Sequence, residues 1–141
     1  MAIRESEKSV RLGMSPFGAV IVRGSDVIAR AHNTVVAKHD PTAHAEVNAI
    51  RSACRKIGTF DLSGCDLYTS CEPCPMCRGA IAWAKIAHVY YAADRNDADK
   101  IGFRDKRMFD NKCRVHMKHI ENTCAADIME QWHKSKSRKK Y

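Results

Sequence analysis

The sequence predicts an α/β domain in which helices cover a mixed β-sheet. Short apolar runs rich in β-branched residues alternate along the chain with segments of helical periodicity. A strand–helix–strand order favours parallel pairing, whereas two strands joined by a short turn pair antiparallel. Both connections occur in this chain, so the sheet should contain both kinds of pairing.

The first third of the chain predicts a helix followed by a β-hairpin. Residues 3–12 fit a short helix, with Ile3 and Val10, and Ala2 or Leu12, on its inner face. Residues 17–22 are apolar and largely β-branched, and residues 27–32 form a second such run. Arg-Gly-Ser-Asp between the two runs has turn chemistry, so the runs form an antiparallel hairpin.

The strongest helical pattern covers residues 41–56. Asp40 can cap the start of this helix, and Gly58 can end it. Its apolar positions recur at spacings of three and four, as on one face of a helix: Ala43, Val47, Ile50, Cys54 and Ile57.

The second half of the chain continues the alternation. A strand at residues 65–69, a helix from Pro73 or Pro75 to Lys85 and a strand at residues 88–92 form one unit. Residues 94–111 are polar and read as loop with short helical pieces. Alternation in residues 114–120 predicts a fifth strand, and a last helix runs from Thr123 through Trp132.

Composition and charge limit the classes of protein. The 141 residues are 45% hydrophobic and 28% charged, which is typical of one globular domain, 1–141, and excludes a disordered chain. The sequence contains no signal-peptide pattern and no run of the ~18 apolar residues that a membrane span requires. We therefore expect a soluble, cytoplasmic protein without a membrane partner.

The net charge of +8 is unevenly distributed. Residues 134–141 carry five lysines and arginines and no acidic residue, so they form a basic C-terminal tail. Such a tail can bind the phosphates of a nucleic acid, and it is equally consistent with a solvated chain end.

His44-Ala45-Glu46 and Pro73-Cys74-Pro75-Met76-Cys77 predict a metal site. One imidazole and two thiolates suit zinc and leave the fourth position for water. Cys74 and Cys77 point to the same side of a first helical turn, whose dipole favours thiolates. Glu46 cannot share the direction of His44 and is better placed as a general acid/base. The alternative is a closed structural site with Cys71 as fourth ligand.

The sequences DPTAHAE at residues 40–46 and TSCEPCPMC at residues 69–77 resemble the motifs of the zinc-dependent cytidine deaminase-like superfamily. The resemblance extends from Pro16 to about Phe103. It implies a three-layer α/β/α fold around a mixed five-stranded sheet. It also implies one zinc ion per subunit, with a bound water or hydroxide, on His44, Cys74 and Cys77.

Finer features are similar to the guanine deaminase branch: PFGAVIV at residues 16–22, Asn33, Ala-Ala-Asp at 92–94, Ala98, Gly102-Phe103, Asp105 and the final Tyr141. The resemblance implies hydrolysis of guanine to xanthine and ammonia, with Glu46 moving the protons and Asp105 as a second catalytic and base-recognising residue. Asn33 would hydrogen-bond the purine, Phe17 would pack on its face and Tyr141 would close the pocket. A homodimer is also implied.

Three other functions remain open at this level. Arg104 places positive charge beside Asp105, which would favour guanosine or a nucleotide over the free base. Deamination of adenosine in transfer RNA uses the same zinc motif, and the basic tail favours it. A zinc-stabilised binding domain without activity is the non-enzymatic alternative. Glu46 argues against this last reading, because a structural site has no use for a carboxylate beside an open metal position.

Overall fold

The computed structural model describes residues 1–110, 117–119 and 124–136. In these residues the strands are β1 (Gly18–Arg23), β2 (Asp26–His32), β3 (Asp66–Cys71) and β4 (His88–Ala93). The helices are α1 (Ala2–Arg11), α2 (Val35–Lys38), α3 (Ala45–Ile57), α4 (Pro75–Trp83), α5 (Arg95–Lys100), α6 (Lys106–Phe109) and α7 (Ala125–Lys134).

The described strands form one mixed sheet in the order β2-β1-β3-β4. β1 pairs antiparallel with β2 and with β3, whereas β3 and β4 pair in parallel across the α4 connection. The predicted hairpin and the predicted parallel unit are therefore confirmed. Gly24 adopts a φ of +58° in the hairpin turn, a left-handed conformation that favours glycine.

The sheet has four strands in the described part of the chain, and not the five that we predicted. Residues 114–120, the predicted fifth strand, lie mostly outside the described residues. Met117, Lys118 and His119 are described and belong to no strand, since they pair with no neighbouring backbone in the sheet.

Helices lie on both faces of the sheet. Ala19 and Ile21 of β1 are fully buried in the core, which they share with Ala49 of α3 and Ile81 of α4. Gly18 faces the other way, because side-chain directions alternate along a strand. A Cβ added at Gly18 would overlap backbone atoms of α1, so α1 packs directly on that face.

Two details of the helices differ from our predictions. α3 begins at Ala45 and not at residue 41, because Asp40 accepts hydrogen bonds from the backbone and side chain of Thr42 in a separate turn. Gly58 ends α3 in a left-handed conformation, as predicted.

The inner face of α1 was predicted correctly at Ala2 and wrongly at Ile3 and Val10. Ala2 and Ser9 are buried, whereas Ile3 and Val10 are about half exposed. The part of α1 closest to Gly18 consists of Ala2, Glu5 and Ser6. Ser9 is buried through a 2.6 Å hydrogen bond that its Oγ donates to the Ser15 carbonyl. In the described residues no helix is both long and apolar enough to cross a membrane.

Candidate active site

The two sequence motifs meet where α3 and α4 begin. His44 is the N-cap of α3 and Cys74 is the N-cap of α4, both with extended backbone, and Pro75 follows as the first residue of α4. His44 Nδ1 lies 3.7 Å from Cys74 Sγ and 3.5 Å from Cys77 Sγ. The three predicted ligands thus lie within 4.8 Å of one another.

These separations fit a zinc ion. Tetrahedral bonds of roughly 2.3 Å to sulfur and 2.05 Å to nitrogen place the two donor atoms about 3.6 Å apart. The His44 nitrogen and the two sulfurs already have this spacing, at 3.7 and 3.5 Å. The unpaired N–H groups and dipole at the start of α4 further favour thiolates at Cys74 and Cys77.

The pKa values of the two cysteines of the cluster are shifted in opposite directions. A hydrogen bond from the Cys77 thiol lowers the pKa of Cys74 well below the usual thiol value, and the same hydrogen bond raises the pKa of Cys77. The hydrogen bond to Cys74 also raises the pKa of His44. A cation that displaces the remaining thiol proton of this pair gains two thiolate ligands.

Cys71 does not complete a four-ligand site. In the described residues the cluster consists of His44, Cys74 and Cys77. The Cys71 thiol instead donates to the Asp94 carbonyl oxygen at 3.5 Å, and burial raises its pKa to about 11. The arrangement therefore matches an open site of three protein ligands and not a closed structural one.

Glu46 lies beside the ligands and is only 6% exposed. Thr69 Oγ1 donates to its Oε1 at 3.3 Å, and the Cys77 thiol lies 3.5 Å from its Oε2. Removal from water raises the pKa of this carboxyl group above its ordinary value. A buried carboxyl group with a raised pKa, held next to a metal site, is suited to accept and return protons.

The cluster opens into a cavity of about 130 Å³. Its walls include four further predicted residues, Phe17, Asn33, Glu46 and Asp105, together with His44. A larger cavity of about 490 Å³ lies elsewhere, between α1 and the outer face of the sheet, and has mainly apolar walls. We assign the chemistry to the smaller cavity because His44 and Cys74, two of the predicted metal ligands, and the buried carboxyl group of Glu46 line it.

Asn33 presents a defined group to this cavity. The residue is 3% exposed, and its backbone N–H donates to the Phe17 carbonyl at 3.0 Å. Its Oδ1 accepts a hydrogen bond from the Val35 N–H at 3.1 Å. Because the amide oxygen is occupied by the backbone, the NH₂ group remains as a donor for a ligand.

Asp105 reaches the cavity from the segment after β4. The segment is held in part by Phe103, whose ring meets the Phe17 ring edge-to-face at 4.8 Å. Burial, followed by the nearby negative charge of Cys74, raises the pKa of Asp105. Tyr141, predicted to close the pocket, lies outside the described residues.

Several neighbours of the site were missed by the sequence reasoning. Thr69 contacts Glu46, and Glu72 joins the turn before Cys74 to later parts of the chain. The position of Glu72 could have predicted that it has charged partners, since a charged residue between an apolar strand and a Pro-Cys turn is unusual without them. Thr69 gave no such indication, because threonine is ordinary in a strand.

Comparison with known proteins agrees with this geometry. Residues 1–93 match the family described as the cytidine and deoxycytidylate deaminase zinc-binding region. The chain is 55% identical over 94 residues to guanine deaminase of Bacillus subtilis, and this alignment covers 67% of this chain and 60% of that protein. It is 44% identical over 93 residues to the tRNA-specific adenosine deaminase of Aquifex aeolicus, and this alignment covers 66% of this chain and 62% of that protein.

The likeness in three dimensions extends further than these sequence matches. The crystal structure of guanine deaminase from Bacillus subtilis superposes with a TM-score of 0.93 at 40% identity, and covers 99% of this chain and 94% of that one. In sequence, however, the chain spans about three fifths of the length of the curated relatives named above.

Proposed function

This chain belongs to the cytidine and deoxycytidylate deaminase zinc-binding family, and on that premise we propose that it hydrolyses guanine to xanthine and ammonia. The observation that carries the proposal is that His44, Cys74, Glu46, Asn33 and Asp105 line one cavity. Cys77 completes the metal cluster beside His44 and Cys74. The 55% identity to a guanine deaminase supports the choice of guanine.

In this proposal His44, Cys74 and Cys77 hold one zinc ion. The ion supplies Lewis acidity, which lowers the pKa of a water molecule towards neutrality. Glu46 takes a proton from the water that attacks C2 of guanine, the carbon that carries the exocyclic amine. Glu46 gives this proton to the ring nitrogen, then takes the second proton from the hydroxyl group now on C2 and gives it to the departing amine, so that guanine and water become xanthine and ammonia.

The residues of the cavity other than the metal ligands and Glu46 recognise the base. The Asn33 NH₂ group donates to an acceptor on the purine edge, while Asp105 accepts from a purine N–H or relays a proton. Phe17 packs on the face of the ring and is itself supported by Phe103. Tyr141 closes the site against water.

The proposal extends to the whole chain as one cytoplasmic domain, 1–141, with residues 134–141 as a basic tail, assembled as a homodimer. The homodimer is supported by α7, which buries none of its residues. Ile128, Met129 and Trp132 of this helix are exposed, which is typical of a surface that meets a partner. Sedimentation of the intact protein at micromolar concentration tests it, and a monomer would contradict it.

Ammonia release from a panel of substrates tests the function. The panel contains guanine, guanosine, adenine, cytosine, cytidine and a transfer-RNA anticodon stem-loop, and it is run with zinc-loaded protein and with Glu46→Ala. Glu130→Ala is the matched control, because Glu130 is an exposed glutamate that pairs with Lys134 on α7 and is absent from the walls of the cavity. Guanine should release ammonia with wild type and Glu130→Ala, and not with Glu46→Ala.

Other outcomes would replace the proposal. Release from guanosine alone would point to Arg104 and a ribose-bearing substrate. Release from the stem-loop alone would favour transfer-RNA deamination, which the 44% identity to a tRNA-specific adenosine deaminase makes the second candidate. Full activity after deletion of Tyr141 would exclude the closing role of that residue.

A further inference from the structure

Asp105 stands on a segment with little support of its own. It lies between the end of α5 and the four-residue helix α6, and the Met108 N–H donates to its carbonyl oxygen at 2.9 Å. Contacts from other parts of the fold must therefore fix where its carboxyl group lies relative to the metal ligands.

One such contact is made by Phe109 at the end of α6. The guanidinium carbon of Arg78 lies 4.8 Å from the centre of the Phe109 ring, and that of Arg95 lies 4.5 Å from it. Both distances are within the range of a cation–π interaction. The ring thus contacts two cations that come from different helices, α4 and α5.

The two cations are fixed by one buried carboxylate, Glu72. Its side chain is 5% exposed, and its Oε1 accepts from Arg78 Nη2 at 2.6 Å and lies 3.1 Å from Arg95 Nη2. Its Oε2 accepts from the backbone N–H and the Nε of Arg95, both at 3.2 Å. Arg78 Nε also donates to the Pro73 carbonyl at 3.2 Å, directly before Cys74.

These contacts connect the metal-ligand turn to the Asp105 segment. Glu72 and Pro73 lead into Cys74, and Arg78 follows Cys77 on the same helix. Phe109 therefore attaches the Asp105 segment to the part of the chain that holds the metal ligands. We propose that Phe109, in contact with Arg78 and Arg95, is the positioning residue that keeps Asp105 over the substrate.

The proposal rests on the proposed function, because it assumes that Asp105 meets the substrate. Phe109→Ala and Phe109→Leu remove the aromatic face, and Phe109→Tyr keeps it. Two cation–π contacts of ordinary strength make the expected loss in kcat/KM about tenfold for Ala and Leu, with near-wild-type values for Tyr. Zinc content should stay at one ion per chain in all three variants.

Phe60→Ala is the matched control. The Phe60 ring also has a cation near it, with Lys85 Nζ 5.7 Å from its centre, but Phe60 is absent from the walls of the active-site cavity. Its removal should leave kcat/KM within twofold of wild type.

A double-mutant cycle separates positioning from simple structural support. Asp105→Asn removes the carboxylate on which Phe109 is proposed to act. In that background Phe109→Ala should lower kcat/KM less than twofold further, because the group being positioned is already gone. A full tenfold further loss would show that Phe109 acts independently of Asp105 and would overturn the proposal.

Hydrogen exchange supplies a measurement that needs no substrate. Amides of residues 101–110 should exchange faster in Phe109→Ala than in wild type or Phe60→Ala, while α3 and α4 stay unchanged. Unchanged exchange in residues 101–110 would overturn the proposal whatever the substrate. If wild type released no ammonia from guanine, the proposed function would fail, and the cycle would be run on whichever panel substrate reacts.

Discussion

Replacement of Glu46 by glutamine isolates the proton-transfer step from metal binding. Glutamine has the shape of glutamate, and its amide oxygen can still accept the 3.3 Å hydrogen bond from Thr69 Oγ1. Its NH₂ group would face the Cys77 sulfur, which lies 3.5 Å from Glu46 Oε2. A donor beside a thiolate is favourable, so Glu46→Gln should hold zinc as well as wild type does.

The expected loss of activity follows from what the amide cannot do. A positioned general acid/base contributes roughly 10²- to 10⁴-fold, and an amide neither accepts nor returns a proton. Both surviving contacts of the side chain are long, at 3.3 and 3.5 Å, so the substitution strains nothing nearby. We therefore assign the whole loss in kcat, about 3–5 kcal/mol in the barrier, to proton transfer.

The assay combines ammonia release with metal analysis and thermal melting. Because burial raises the pKa of Glu46, a neutral side chain there removes a desolvation cost, and metal-free Glu46→Gln should melt at or above the wild-type temperature. Loss of zinc from the variant would identify Glu46 as a ligand. Turnover within tenfold of wild type would refute its role as general acid/base.

Three further substitutions test the fold, the recognition of the base and the surface charge. Gly18→Ala places a Cβ inside the backbone of α1 and should lower the free energy of unfolding by about 3 kcal/mol. Gly79→Ala is the control, because the space around Gly79 is open, and it should not lower the free energy of unfolding. Chemical denaturation measures both variants. Asn33→Asp keeps the acceptor for the Val35 N–H but removes the NH₂ donor, so KM for guanine should rise at least tenfold while zinc content is unchanged. The Lys85 hydrogen bond lowers the pKa of Asp61, so its stabilising effect is present above the ordinary pKa of about 4 and is lost as pH falls through the lowered value. The difference in melting temperature between wild type and Asp61→Asn should therefore be seen at pH 6 and shrink at strongly acidic pH.

The metal ligands could be predicted because zinc chemistry restricts residue type and local spacing. His44 and Cys74 each cap a helix, and Cys77 follows within one turn, so a few consecutive residues specify most of the geometry. The prediction held although the start of α3 was placed at residue 41. The Asp40–Thr42 turn uses the same side-chain-to-backbone hydrogen bond as a helix cap, and the sequence alone does not separate the two.

The inner face of α1 shows why periodicity was insufficient there. A hydrophobic pattern finds the apolar side of a helix, but α1 approaches Gly18 so closely that backbone atoms of Ala2 and Ser6 meet it, and the buried residues of the helix are the small Ala2 and Ser9. The larger Ile3 is displaced to the wall of the 490 Å³ cavity. Size, and not hydrophobicity, decides which residues are buried when two backbones come close together.

One part of the proposed substrate recognition, Asp105, lies in the part of the chain where sequence patterns are weakest. The family match covers residues 1–93 and contains the metal ligands, Glu46 and Asn33, whereas Asp105 and its support Phe109 lie beyond it. Phe109 gains its position from cations on two other helices, which no local pattern in a polar segment indicates. The zinc ligands and the proposed contribution of Asp105 to substrate recognition therefore lie in separable parts of the sequence. Changes at residues 103–109 should alter which purine is accepted while zinc binding stays constant.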